Sequence, residues 1–456
     1  SLVRSNFTTG EIEPALAASW EIAEDGLSIV FNLRPDVTFH DGTPFTAEAV
    51  VRSFMRHTDT TEVSYVEGVY MHFSHGASLI EDIREIDDLT VEFILSDVDV
   101  AMLDHFTRPS AYIISPSALD EHGPDIGENL VMTGPFMIES FIPGREAVLV
   151  PFDDYWGGRP NLDQLIVRGY ANEGEVMAAL QSGEINFTTA VPTLAVPGLE
   201  SQPDFNVEVA APLITVFLGT NLADEVMANP DVRKAINYAV NRENLINVGL
   251  NGFGELPSSM LSPTDFGFDA SGREISRYDV DLARTHLEAS GLPMPVAINL
   301  AFEDNRFWPQ LAELVRSDLE AVGFQVTLQP SDAGTFWDRV NSGETQLTMQ
   351  QRSTFETDPH DKAVILRSDQ TGGASNLDLL PEADQMDTLL QEGISTFDEA
   401  LRRVIYEEIQ ALALDQLPYI YLAYFTPPVV TTDRVENLDI NGAAAGRVVF
   451  RETRIE

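Results

Sequence analysis

Residues able to do covalent chemistry are plentiful in this chain, but they do not fall into the spacings such chemistry needs. There is no Gly-x-Ser-x-Gly turn to expose a nucleophile, no His-Glu-x-x-His pair of metal ligands, no phosphate loop and no dinucleotide fingerprint. The 73 acidic residues put carboxylates near one another throughout, so no glycosidase-like acid pair stands out and a hydrolase is a distant reading. Cysteine is absent, which excludes disulfides, thiolate metal sites and a thiol nucleophile. Among the eight histidines, His72 and His75 would share a face of a helix spanning Tyr70 to His75. No third histidine or acid is placed beside them by spacing, and first-row metals want several ligands. No catalytic residue, no protein metal site and no cofactor are expected, and the chemistry left to the chain is reversible binding.

The charge balance narrows the partners. With 27 basic against 73 acidic residues the net charge is −46, which repels nucleic acid and anionic membrane. Lys234 and Lys362 are the only lysines, the other basic residues are arginines, and the acids are spread along the chain. That pattern reads as a halophilic surface, adapted to salt as a whole. The longest apolar stretch, Tyr419 to Phe425, is far short of the ~20 residues that cross a hydrocarbon core. A 456-residue chain with 44% hydrophobic composition exceeds the roughly 250–300 residues at which single cores stop growing, so two lobes or more are expected. It opens at Ser1-Leu2-Val3-Arg4 without a basic-then-apolar export signal.

Helical and strand patterns alternate from end to end, the mark of an α/β fold. Asn229-Pro230-Asp231 caps a helix whose apolar stripe runs through Val232, Ile236, Ala239, Val240 and Leu245. A second helix starts near Pro309, buries Leu311, Leu314, Val315, Leu319 and Val322, and ends at Gly323, which suits a left-handed turn. Phe324, Val326 and Leu328 then alternate with polar residues as a half-buried strand. Near the start, Ile29, Phe31 and Leu33 form a strand before the turn at His40-Asp41-Gly42-Thr43-Pro44 and a helix from Thr46. Near the end, a helix over Leu401 to Asp415 is stopped by Pro418, and Tyr419 to Phe425 follows as a buried strand.

Four blocks in this order are similar to the family 5 extracytoplasmic solute-binding proteins of ABC importers, the peptide- and nickel-binding type. They are Pro14 to Trp20 with Glu24-Asp25-Gly26 and Phe31 to Thr46; Thr133-Gly134-Pro135-Phe136; Tyr155-Trp156-Gly157-Gly158-Arg159-Pro160; and Val232 to Arg242. Gly446 to Glu456 resembles the end of the dipeptide-binding branch. The family's first strand has no counterpart, so the chain reads as a fragment of its gene product.

The resemblance implies a two-lobed, class II-like Venus-flytrap fold of the periplasmic-binding-protein type. Lobe I would comprise residues 1–215 and 428–456, with an extra subdomain at about 44–130, and lobe II residues 216–427. Crossovers are expected near Thr215 to Asn221 and Pro418 to Pro427. The implied function is capture of a small solute between the lobes and its delivery to permease subunits by an exported, periplasmic or membrane-associated extracellular monomer. A receptor-type sensor on the same fold is a further possibility.

By this resemblance Gln350 to Asp361 is the ligand loop, and it departs from the peptide-binding pattern. Arg352 stands where a tryptophan is found, and Phe355 where an aspartate pairs with the peptide's amine. A charge-assisted hydrogen bond contributes about 1.5–3 kcal/mol, so its loss argues against an ordinary free-amine dipeptide unless Glu356 or Asp358 substitutes. Arg352 could grip a carboxylate or phosphate bidentately while Phe355 packs on an apolar part of the solute. Equally, Arg352 could be a surface arginine paired with Glu356, and Asp358-Pro359 a turn opener. Arg306 matches a carboxylate-binding arginine of the dipeptide branch. Trp308 and Trp337 are either cleft walls or core, and Met132 and Thr133 face the ligand from lobe I. Trp20 and Trp156 read as packing. Asp358-Pro359-His360 resembles a tripeptide of the nickel branch, so an oligopeptide, an anionic solute or a metal chelate held through its carboxylates all remain open.

Overall fold

The structure is a computed structural model that describes residues 1–6, 9–65, 78–210, 212–274, 277–305, 307–353, 356, 358–369, 376–442 and 447–455. His72, His75, Arg306 and Phe355 lie outside the described residues.

A six-stranded mixed sheet organises the middle of the chain, in the order 254–255, 419–425, 214–220, 347–353, 296–303 and 324–331. Ile214–Thr220 and Tyr419–Phe425 are buried at every position. Such strands read as continuous apolar runs because both faces are covered. One face packs on the helices Pro230–Ala239, Val280–Ala289 and Trp308–Val322. The other packs on Ala383–Ser395 and Glu399–Gln416, with Tyr406 and Leu390 at the centre. Strands Val296–Glu303 and Phe324–Ser331 are parallel neighbours joined by the helix Trp308–Val322. That helix ends as its sequence predicts, at Gly323 with φ 119°.

The first predicted helix is shorter than its apolar stripe. It ends at Ala239, Val240 is extended, and the chain restarts helical at Arg242. Arg242 is buried there and donates to the carbonyls of Tyr421 (2.7 Å) and Asn237 (2.9 Å). Those bonds fix a kink that an apolar period cannot reveal.

The N-terminal part carries a four-stranded antiparallel sheet in the order 17–22, 28–33, 90–95 and 80–87, backed by the helix Ala47–Met55. Two of its strands come from before residue 44 and two from after it. Phe31, Phe54, Phe93 and Phe106 meet edge to face in its core. Trp20 and Trp156 pack against this core, with the Arg34 guanidinium 4.6 Å above the Trp156 ring. Smaller sheets follow, one of residues 136–142, 146–151 and 165–168, and one in which Pro428–Thr432 pairs with Phe187–Thr188 and Phe205–Val209. The chain therefore passes between sheets at 209–214 and again at 425–428. The N-terminal unit touches the middle of the chain directly, since Val100 N–H donates to the Ile394 carbonyl at 2.8 Å.

Candidate functional site

Parallel strands with a helical crossover leave a crevice beyond their carboxyl ends, where α/β proteins place ligands. Here Glu303 closes one such strand and Asn305 begins the turn into the helix at Trp308. Met349, Gln350 and Gln351 come from the next strand, and Phe336 and Trp337 from the helix Ala333–Asn341. These eight residues line an open cavity of about 300 Å³, at the lower end of the roughly 300–1,000 Å³ typical of small-molecule sites. Trp308 is 6% exposed and forms the inner wall, whereas Trp337 is 41% exposed and lies toward solvent. Both tryptophans named from the sequence thus line the cavity.

The polar rim is built mostly of acceptors. Asn305 Nδ2 donates to Glu303 Oε2 at 2.8 Å, which leaves its own carbonyl oxygen free to accept. Thr348 Oγ1 donates to the Gly219 carbonyl at 3.3 Å, so Gln350 Nε2 is the donor in its 2.8 Å contact with Thr348 and its carbonyl oxygen is likewise an acceptor. Met132 and Thr133 do not line this cavity. Met132 O accepts from His40 N–H at 2.9 Å, and Thr133 is buried.

The loop after strand Leu347–Ser353 is a different environment. Glu356, 1% exposed, accepts from His105 Nδ1 at 2.7 Å and from Arg108 Nε. His105 Nε2 meets Asp99 Oδ2 at 3.0 Å. With a carboxylate at each ring nitrogen, the imidazolium is the form that donates to both. Burial alone would lower the His105 pKa, but the Glu356 and Asp99 charges outweigh it and hold it well above the ordinary histidine value. Burial likewise pushes Glu356 up, and His105 and Arg108 overcome this to hold it at about 2. Asp361 accepts from Arg108 Nη2, and from Arg352 Nη2 at 3.3 Å, while Arg352 Nε donates to its carbonyl at 3.0 Å. Asp358 is gripped by both contacts of Arg402 Nη2, at 2.8 and 2.7 Å.

Glu356, Asp358 and Arg352 are therefore brought together, but in ion pairs with protein groups and away from the cavity lining. Arg352 pairs with Asp361, and not with Glu356 as the alternative of a paired surface arginine had it. Sequence reasoning missed Asp99, His105, Arg108 and Arg402, and also Glu303. The last had a readable signal, an acid at the end of a strand that precedes a helix. Among the described residues, no group of three or more His, Cys, Asp or Glu is placed to hold a metal ion, and no helix is long and apolar enough to cross a membrane.

Comparison with known proteins matches residues 11–374 to the family described as bacterial extracellular solute-binding proteins, family 5 middle. A probable D,D-dipeptide-binding periplasmic protein of Escherichia coli is 27% identical over 90% of this chain and 79% of its own. The dipeptide-binding protein of the same organism is 26% identical over 93% of this chain and 83% of its own. Among solved structures, an ABC transporter-associated periplasmic binding protein of Helicobacter pylori in complex with the peptide STSA superposes with a TM-score of 0.87. It is 26% identical and aligns over 100% of this chain and 92% of that one. A dipeptide-binding protein from Pseudoalteromonas in complex with Met-Leu gives a TM-score of 0.89 at 23% identity, over 100% and 93%.

Proposed function

The chain belongs to the family 5 bacterial extracellular solute-binding proteins, and from that premise we propose that it captures a peptide-like solute between two lobes and hands it to the permease of an ABC importer. The cavity at the carboxyl end of strand Val296–Glu303, beside the middle of strand Leu347–Ser353, carries this reading. It is concave, walled by Trp308, Phe336 and Trp337, and rimmed by amide and carboxylate groups, the mixture that recognises a molecule with both apolar side chains and amide backbone. The amide groups of Asn305, Gln350 and Gln351 in its lining suit the hydrogen-bonding backbone of a peptide-like solute. Relatives named for dipeptides support the same choice.

In this reading lobe I comprises 1–215 and 428–456, its subdomain at about 44–130 sharing a sheet with strands 17–22 and 28–33, and lobe II comprises 216–427. The switch of sheets at 209–214 and 425–428 supports that division. Closure brings lobe I over the cavity, driven only by contacts the solute makes in the closed form. The protein is exported, acts as a monomer outside the cytoplasm, and returns its ligand chemically unchanged.

Thermal-shift measurements with di- and tripeptides, dicarboxylates and nickel with histidine test this choice. A ligand at a hundredfold excess over its Kd stabilises the native state by about 2.7 kcal/mol. Peptides are expected to raise Tm. A shift with dicarboxylates or the chelate alone would replace the peptide reading with the anionic one.

A further inference from the structure

Resting on that reading, we infer that Glu303 is the counter-charge for an ammonium group of the solute, so that the cavity selects ligands with a free amine beside an apolar group. The family-like loop offers no such anchor among its described residues, because Glu356, Asp358 and Asp361 are each held by arginine or histidine. Glu303 is the one acid in the described cavity lining, and among the described residues it has no cationic partner. Its neighbours are turned to suit the same guest. Asn305 and Gln350 each donate one amide hydrogen to the protein, to Glu303 and Thr348, and keep their carbonyl oxygens as acceptors. An ammonium carries three donors and no acceptor, so a carboxylate and two amide oxygens complement it, whereas a carboxylate guest would face the like charge of Glu303. Trp308, Phe336 and Trp337 supply the apolar wall that shelters the adjoining alkyl group.

Calorimetric titration of the wild type and Glu303→Gln with Leu-Leu, N-acetyl-Leu-Leu and leucinamide tests the assignment, with Tm confirming that the exchange leaves the fold intact. Acetylation should weaken binding to the wild type about 10- to 100-fold, the usual weight of a charge-assisted bond. Glu303→Gln should weaken Leu-Leu by a similar factor and bind the free and acetylated peptides equally, while Glu303→Asp keeps part of the preference. Equal binding of both peptides by the wild type, or an unchanged preference in Glu303→Gln, overturns the inference and leaves the peptide reading standing. If neither peptide binds the wild type, the peptide reading falls. Leucinamide then decides: binding that Glu303→Gln abolishes upholds the ammonium site, and no binding overturns it.

Discussion

The loop at 356–361 and the cavity at Glu303 stand at the ends of neighbouring strands of one sheet, yet they treat charge in opposite ways. In the loop every described acid is sealed from water and paired, with Glu356 reaching His105 and Arg108, Asp358 reaching Arg402, and Asp361 reaching Arg108 and Arg352. In the cavity one acid is half-buried and its cation is left to come from outside. A carboxylate already neutralised by the protein holds a shape; one left unpaired beside aromatic walls can hold a ligand. The difference lies in the partners rather than in the acids, so each region should fail in its own way when a partner is removed.

The largest effect is expected from Arg402→Ala. It strands the Asp358 carboxylate in a buried site, and breaking such a pair typically destabilises by about 3–5 kcal/mol. Denaturant unfolding followed by circular dichroism should show this, with Leu-Leu affinity in the folded fraction little changed. A loss below about 1 kcal/mol would mean that water reaches Asp358, and the contrast between sealed loop and open cavity would break.

Acid should undo the loop next. Glu356 is held at about 2, below the 4.5 of a free glutamate, so its contribution is complete above pH 4.5 and disappears as pH falls through about 2. The span corresponds to up to about 3 kcal/mol. His105 has the opposite sign. Its pKa lies above the ordinary 6.5, so its contribution is complete below pH 6.5 and is lost as pH rises through the folded value. Unfolding free energies of the wild type and Glu356→Gln should therefore differ most between these limits and converge toward pH 2. A constant difference across the acid range would remove Glu356 from the ion pair.

How much of this contrast was legible in the sequence follows from the range of the interactions. The helix Trp308–Val322 and the strand after Gly323 were readable because periodicity and a left-handed glycine are local signals. The central strands were readable because covering both faces of a sheet forces an unbroken apolar run. Trp308 and Trp337 could be named as possible cleft walls, but only the fold could show one facing inward and the other out. The pairing of His105 with Glu356 spans 251 positions, and no local pattern connects them. Arg352 was recognised as unusual, yet its partner Asp361 could not be chosen over Glu356 without knowing that Arg108 comes across from the N-terminal unit. Glu303 closes a strand outside that loop, and one acid among 73 is singled out only once the fold sets it beside Trp308 and Trp337.

The cavity should respond to Trp337→Ala. This ring is 41% exposed, and exposed substitutions usually change stability by within about 0.5 kcal/mol. Leu-Leu binding should nevertheless weaken about 5- to 20-fold through loss of apolar and ring-face contact. A drop in Tm with unchanged affinity would make Trp337 a packing residue and move the ligand elsewhere.

Salt separates the two regions by the smallest and most general effect. With a net charge of −46 the folded surface repels itself, and raising ionic strength from 0.1 to 1 M shortens the screening length from about 10 to 3 Å. Tm of the wild type should climb over that range. The buried loop pairs are screened little, so the deficit of Arg402→Ala should stay nearly constant with salt. An ammonium at half-exposed Glu303 is open to ions, and Leu-Leu affinity should fall severalfold while that of N-acetyl-Leu-Leu hardly moves. Equal salt sensitivity of the two peptides would place the amine away from Glu303, and a salt-dependent Arg402→Ala deficit would place Asp358 in water.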